Sequence, residues 1–292
     1  MWLVAVPAGA LMIFLFLVSP RLAGQRERAG RLARGLYPHR GLHGEGIPEN
    51  SLPAFERAAQ KGFGIEMDIR LTRDGHLVVH HDESAKRTCG VDRRIGDMML
   101  EEVRSCRLTG SDAGIPLLEA VLEKVGPSGA PLILEMKSDA DSRRRLPALL
   151  CRCMARYPGA WSVESFDPRM LRWFRKNAPE VIRGQLAWDP AKAAGERRRG
   201  IRCWCGARLL MNFLSRPDFI AYDYRTEGNR AFRLFQAIFH TPLAAWTVTT
   251  RAEMDRLRRR YEIQIFEGFI PSAGLNTVTQ EEKETESNER NA

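Results

Sequence analysis

The feature that most constrains this chain is an alternation of short β-rich runs with helix-period segments over residues 36–271. The runs are "GLYPHRG" (35–41), "GIEMDIRL" (64–71), "PLILEMK" (131–137), "AWSVESF" (160–166), "IRGQLAW" (182–188), "FIAYDY" (219–224), "LAAWTV" (243–248) and "EIQIFEG" (262–268). Amphipathic stretches such as "SLPAFERAAQKG", with Ser51 placed to cap, lie between most of them. Strands alternating with helices make βαβ units and a parallel sheet. Eight of them predict an α/β fold, a (β/α)8 TIM barrel, whose usual size is ~250 residues. An open doubly wound sheet is the alternative; no Gly-x-Gly-x-x-Gly follows the first strand.

One strand cannot belong to that series. "LVVHH" (77–81) follows "GIEMDIRL" after only five residues, "TRDGH". A parallel crossover needs roughly a dozen or more. The run must return antiparallel, through a hairpin turning at Asp74-Gly75. Residues 83–115 then form an excursion before the helix "PLLEAVLEKV".

Residues 1–20, "MWLVAVPAGALMIFLFLVSP", carry no charge, and Trp2 to Val18 is apolar apart from Pro7 and Gly9. The run is read as a transmembrane helix at the short end of the spanning range. A signal peptide is the alternative, without a basic n-region or a small-residue cleavage site. Arg21, Arg26, Arg28, Arg31 and Arg34 make 21–35 a basic linker. By the positive-inside rule they place the rest of the chain in the cytoplasm behind a single-pass anchor, where they would also attract anionic headgroups. The net charge of +9 comes in clusters such as "SRRRL", "ERRRG" and "RLRRRY". No aromatic-interleaved pattern accompanies them, which argues against nucleic acid. The six cysteines lack zinc spacing and read as free thiols. The 272–292 tail is polar and acidic and reads as disordered.

Chemistry enters through strand parity. Side chains alternate along a strand, so Glu66, Asp68 and Arg70 share one face of 64–71, and Ile133, Glu135 and Lys137 share one face of 131–137. Barrel interiors are normally filled by branched apolar groups. Burying carboxylates there without partners costs several kcal/mol each. Glu66, Asp68 and Glu135 therefore call for a divalent cation, Ca²⁺ or Mg²⁺, with salt bridges to Arg70 and Lys137 as the alternative. His39 and His81 stand at strand ends, as a general acid and base would.

"HRG" (39–41), "PEN" (48–50), "EMD" (66–68), "DG" (74–75), "HHDE" (80–83), "LEMK" (134–137), "SF" (165–166) and "WTV" (246–248) occur in this order. Together they resemble the glycerophosphodiester phosphodiesterase family. The resemblance covers residues 36–271 and implies a metal-dependent TIM-barrel phosphodiesterase that releases glycerol 3-phosphate and an alcohol such as choline or ethanolamine. It implies metal ligands at Glu66, Asp68 and Glu135, catalytic histidines at His39 and His81, and phosphate contacts from Arg40 and Lys137. Glu49 would orient the site, and Trp246 would line the substrate pocket. The implied reaction is attack by the glycerol 2-hydroxyl, then opening of the cyclic phosphate by water. Lysophospholipids are a second substrate class, and other phospholipid-cleaving phosphodiesterases share the barrel. A non-enzymatic membrane scaffold would not need the full set of acids and histidines. Departures are Pro38 before His39, "IFEGFIP" as the closing motif, and a short 83–115 excursion.

Overall fold

The computed structural model of the 292-residue chain describes residues 2–32, 35–139, 142–192 and 200–271. The acidic tail read at 272–292 and most of the "ERRRG" cluster lie outside them. The strands are β1 (Leu36–Pro38), β2 (Ile65–Leu71), β3 (Leu77–Val79), β4 (Leu132–Met136), β5 (Trp161–Ser165), β6 (Ile182–Ala187), β7 (Phe219–Asp223), β8 (Leu243–Val248) and β9 (Ile263–Phe266). They run in the order β1-β9-β8-β7-β6-β5-β4-β2-β3. Every pairing is parallel except β2 with β3. The eight parallel strands are the eight of the sequence pattern, each trimmed or matched at its ends, and β3 is the return arm of the hairpin.

The barrel closes between β1 and β2 without a ladder. Gly64 N–H donates to Leu36 O at 3.1 Å at the lower end of this seam. Glycine is required there because a Cβ on Gly64 would lie 2.3 Å from Cε1 of Tyr37. At the upper end two side chains cross the gap: Arg40 N–H donates to Glu66 Oε2 at 2.7 Å, and Asn50 Nδ2 donates to Asp68 Oδ2 at 2.7 Å. The hydrogen bonds that finish the barrel are thus made by site residues.

Outward-facing Ile65, Met67, Ile69, Leu132, Leu134 and Val163 pack on the helix ring, which includes Phe55, Leu146 and Met170. A separate apolar layer of Tyr37, Ile133, Ile182, Phe219, Ala244 and Ile263 fills the lower interior. The excursion has a small core of its own, built from Val78, Ala85, Ile95, Met98, Val103 and Leu108.

The N-terminal region departs from the expectation. The apolar run forms helix α1 (Trp2–Val18), and among the described residues no helix is long and apolar enough to cross a membrane. Its 17 residues span about 25 Å, short of a hydrocarbon core of about 30 Å. Its last turn is also committed to the barrel: Val18 is buried, Asn212 Nδ2 donates to Val18 O at 3.0 Å, and Phe16 stacks on Phe213. The transmembrane anchor and the single-pass cytoplasmic topology built on it are therefore withdrawn.

The supposed linker folds too. It carries helix α2 (Gln25–Gly30), whose Ala29, with Leu32 just beyond it, joins the lower interior layer. Arg28 pairs with Asp218 at 3.0 Å and donates to Pro179 O and Glu180 O, and Arg21 donates to Pro179 O. These arginines close the bottom of the barrel.

Candidate active site

Alternation places Glu66 and Asp68 of β2, Glu135 of β4 and Glu164 of β5 inside the upper barrel, all buried. Register makes three of them neighbours: Asp68 is opposite Glu135, and Glu135 is opposite Glu164. Oxygens of Glu66, Glu135 and Glu164 lie within 4.8 Å of one another. Asp68 stands beside this trio with its oxygens engaged: Lys137 Nζ is 2.7 Å from Oδ1, and Arg40 Nε is 3.4 Å from Oδ2, which also accepts from Asn50. Lys137 also contacts Glu135 at 2.6 Å.

The electrostatics separate the four acids. Burial would raise the pKa of Asp68, but Lys137, Arg40 and the two histidines hold it far below the carboxylate range. Glu66 is pushed well above that range by burial and by the charges of Asp68, Glu164 and Glu135. Glu164 is pushed up by burial and by Glu135. Its Oε2 has no hydrogen-bond partner among the described residues. A buried acceptor without a donor, beside two more carboxylates, suits a hard cation better than an internal proton network.

The histidines frame this cluster. His39 follows β1, and its Nδ1 lies 2.7 Å from Glu267 Oε2, just past β9. This contact, led by its hydrogen bond to His39, draws the Glu267 carboxyl down to about 2. His81 follows β3, with Nδ1 2.6 Å from Asp82 Oδ1. Burial lowers the His81 pKa to about 4, so the ring is neutral at pH 7. His80 points away: both ring nitrogens are taken, by Asp82 O at 2.9 Å and Thr88 Oγ1 at 2.7 Å.

Glu49 does not cap the following helix α3 (Leu52–Gln60), where Ser51 Oγ accepts from Ala54 N. It holds Arg40 Nη1 at 2.9 Å and Arg87 Nη2 at 2.6 Å. Arg87, on helix α4 (Lys86–Cys89) of the excursion, also donates to Asp82 Oδ2 at 2.5 Å. One guanidinium thus braces the carboxylates behind both His81 and Arg40. Arg40 and Asn50 are left-handed, with φ of 56° and 52°. Such conformations persist only where surroundings over-determine them.

Trp246 of β8 is half-buried and stacks edge-on against Phe166 at 5.8 Å. Phe166 lines a cleft of about 1000 Å³ that reaches His81, Glu135 and Lys137. The cleft opens on the Lys137 side of the site, and His39 lies outside its lining.

All nine residues singled out from sequence lie on the upper barrel or its connecting loops. Glu164, Glu267, Asp82, Arg87 and Asn50 were not among them. Alternation along "WSVES" would have found Glu164.

The profile of the glycerophosphoryl diester phosphodiesterase family matches residues 39–261. The chain belongs to this family. It is 35% identical over 162 residues to a glycerophosphodiester phosphodiesterase of Caldanaerobacter subterraneus, covering 51% of this chain and 64% of that protein. It is 37% identical over 123 residues to a human lysophospholipase D, covering 38% of each. The barrel superposes with a TM-score of 0.68 on an Oleispira antarctica phosphodiesterase solved with the product sn-glycerol-3-phosphate, at 19% identity over 82% of this chain and 94% of that one. At that identity the likeness speaks to fold alone.

Proposed function

We propose that this family member hydrolyses glycerophosphodiesters to glycerol 3-phosphate and an alcohol. The observation that carries the reading is the pair of carboxylate-backed imidazoles, His39–Glu267 and His81–Asp82, flanking a buried cluster of acids, Lys137 and Arg40. Glu66, Glu135 and Glu164 would hold a divalent cation, with Asp68 beside them. When bound, that cation supplies Lewis-acid polarisation of a phosphoryl oxygen.

The chain's own groups do the rest. Lys137 and Arg40 each carry donors that serve a phosphate, and their pairing with Asp68 fixes where those donors stand. One imidazole takes the proton of the attacking hydroxyl; the other gives a proton to the departing alkoxide. His81, neutral at pH 7, is ready to accept. Opening of a cyclic phosphate by water reverses the two roles. Glu267 and Asp82 fix the ring orientation of their histidines and offset the charge of each imidazolium.

A second reading, lysophospholipid cleavage, is favoured by the human relative and by an apolar wall of Phe166, Leu209 and Met211 along the cleft. The test is glycerol 3-phosphate release from glycerophosphocholine, with and without EDTA, beside His39→Ala and His81→Ala. Each substitution should lower kcat/KM by about 10²–10⁴-fold. Activity that survives chelation and both substitutions would overturn the reading, and faster cleavage of lysophosphatidylcholine would select the second.

A further inference from the structure

The cleft extends well past the reaction centre, and its far wall is charged. Asp167, which caps the helix Pro168–Asn177, is buried and faces two guanidinium groups. Its Oδ2 accepts from Arg143 Nε at 2.7 Å and its Oδ1 from Arg169 Nε at 2.8 Å. Ser138 Oγ, one residue after Lys137, also donates to Oδ2 at 2.8 Å. This network ties the pair of arginines to the strand end that carries Lys137. Arg143 uses only Nε, so its terminal amino groups have no partner among the described residues.

The remaining charges along the cleft are compensated with two exceptions, Arg70 and the exposed Arg202. Asp82 is held by Arg87 at 2.5 Å, Glu83 by Arg94 at 2.6 Å and Glu135 by Lys137 at 2.6 Å. Arg202 makes no ion pair among the described residues, and Arg70 is the second exception. It donates from Nε and Nη2 to His81 O at 3.0 and 2.7 Å and makes no ion pair within 4.0 Å among the described residues. One carboxylate against Arg143 and Arg169, with Arg202 unpaired on the same lining, leaves the wall with surplus positive charge.

We propose that this wall is the leaving-group subsite and that it selects alcohols bearing an anionic group, a phosphate monoester or a carboxylate, over choline or ethanolamine. The proposal rests on the phosphodiesterase reading above. A quaternary or primary ammonium would meet like charge there. An anion would gain charge-assisted hydrogen bonds from a fork already oriented by Asp167, at little cost in side-chain ordering.

The test compares kcat/KM for glycerophosphoinositol 4-phosphate, glycerophosphoinositol, glycerophosphoserine and glycerophosphocholine with the full chain. The first two differ only in the phosphate, and the serine diester probes the carboxylate. We expect the phosphorylated substrate to exceed both its parent and the choline diester by about tenfold, as one charge-assisted contact permits. In Arg143→Gln/Arg169→Gln that ratio should fall towards one. Because the ratio is internal to each protein, a loss of folded material cannot imitate the result. A ratio at or below one in the unaltered protein, or one unchanged in the variant, overturns the subsite and leaves the phosphodiesterase reading standing. No glycerol 3-phosphate from any of the four substrates overturns both.

Discussion

At the bottom of the barrel one buried carboxylate, Asp218, meets Arg28, Arg183 and Arg21 at 3.0, 3.6 and 3.8 Å. At the top, Glu66, Asp68, Glu135 and Glu164 share Lys137 and the guanidinium of Arg40. Both ends bury charge, but they balance it differently. At the bottom, spare guanidinium donors go to backbone carbonyls: Arg183 alone reaches Val181 O at 2.8 Å and Pro179 O at 3.2 Å. Positive charge is in excess there, but each of the three guanidinium groups is hydrogen-bonded to carbonyls of the chain. At the top the acids outnumber the cations, and Glu164 Oε2 has no donor among the described residues. A fold can stabilise itself with the first arrangement. The second is a standing deficit that a cation, a proton or a substrate has to fill.

The largest effect should come from breaking the hydrogen-bonded end. Arg183 is 2% exposed, and its pKa is lowered to about 10, chiefly by burial. Asp218→Ala would leave that guanidinium without its carboxylate, which costs about 3–5 kcal/mol when a buried pair loses one member. Urea unfolding measures the loss, and kcat of the remaining folded protein should be unchanged. A loss under about 1 kcal/mol would mean that the carbonyls alone satisfy Arg183, and the contrast between the ends would fail.

The unbalanced end should respond with the opposite sign. A carboxyl whose folded pKa is raised destabilises the fold once pH passes its unfolded value of 4.5. Glu164→Gln removes that cost and places an amide donor among acceptors. Without added metal, the variant should be more stable at pH 7 by about 1–3 kcal/mol. The melting shift produced by Ca²⁺ or Mg²⁺ should shrink, because a ligand is lost. A metal-free variant less stable than the parent would show that the acid excess is already compensated within the chain.

How much of this could be read from the sequence follows the same division. The barrel strands are legible because period-2 runs alternate with helices, and the same parity selects Glu66, Asp68 and Glu135. Glu164 obeys that parity but is the lone acid in "WSVES", with no cation in its own strand to draw attention to it. Glu267 is 228 residues from His39, and only closure of the barrel joins them. Arg87 belongs to the excursion, whose docking no local pattern encodes. The N-terminal error has a related cause. An apolar run near the spanning length has one composition whether it meets lipid or packs its last turn on Asn212 and Phe213. The arginines after it look like a topological signal, and their role in closing the barrel is visible only in three dimensions.

Between the two ends stands a pair that is balanced but open to water, and it offers the smallest and sharpest test. The Glu267 side chain is 39% exposed and sits 2.7 Å from His39. Its carboxyl falls from 4.5 to about 2 on folding, led by the hydrogen bond from His39. A depressed carboxylate adds stability that is complete above the unfolded value and is lost as pH falls from 4.5 towards 2. With solvent screening at this exposure, the contribution is about 1 kcal/mol. Glu267→Gln should therefore be less stable than the parent by about that amount at pH 6, with the gap narrowing below pH 4.5 and closing only as pH falls through about 2. A gap of equal size at pH 6 and at pH 2 would make the contact an uncharged hydrogen bond. The rim pair would then resemble neither end of the barrel, because its strength would not depend on charge.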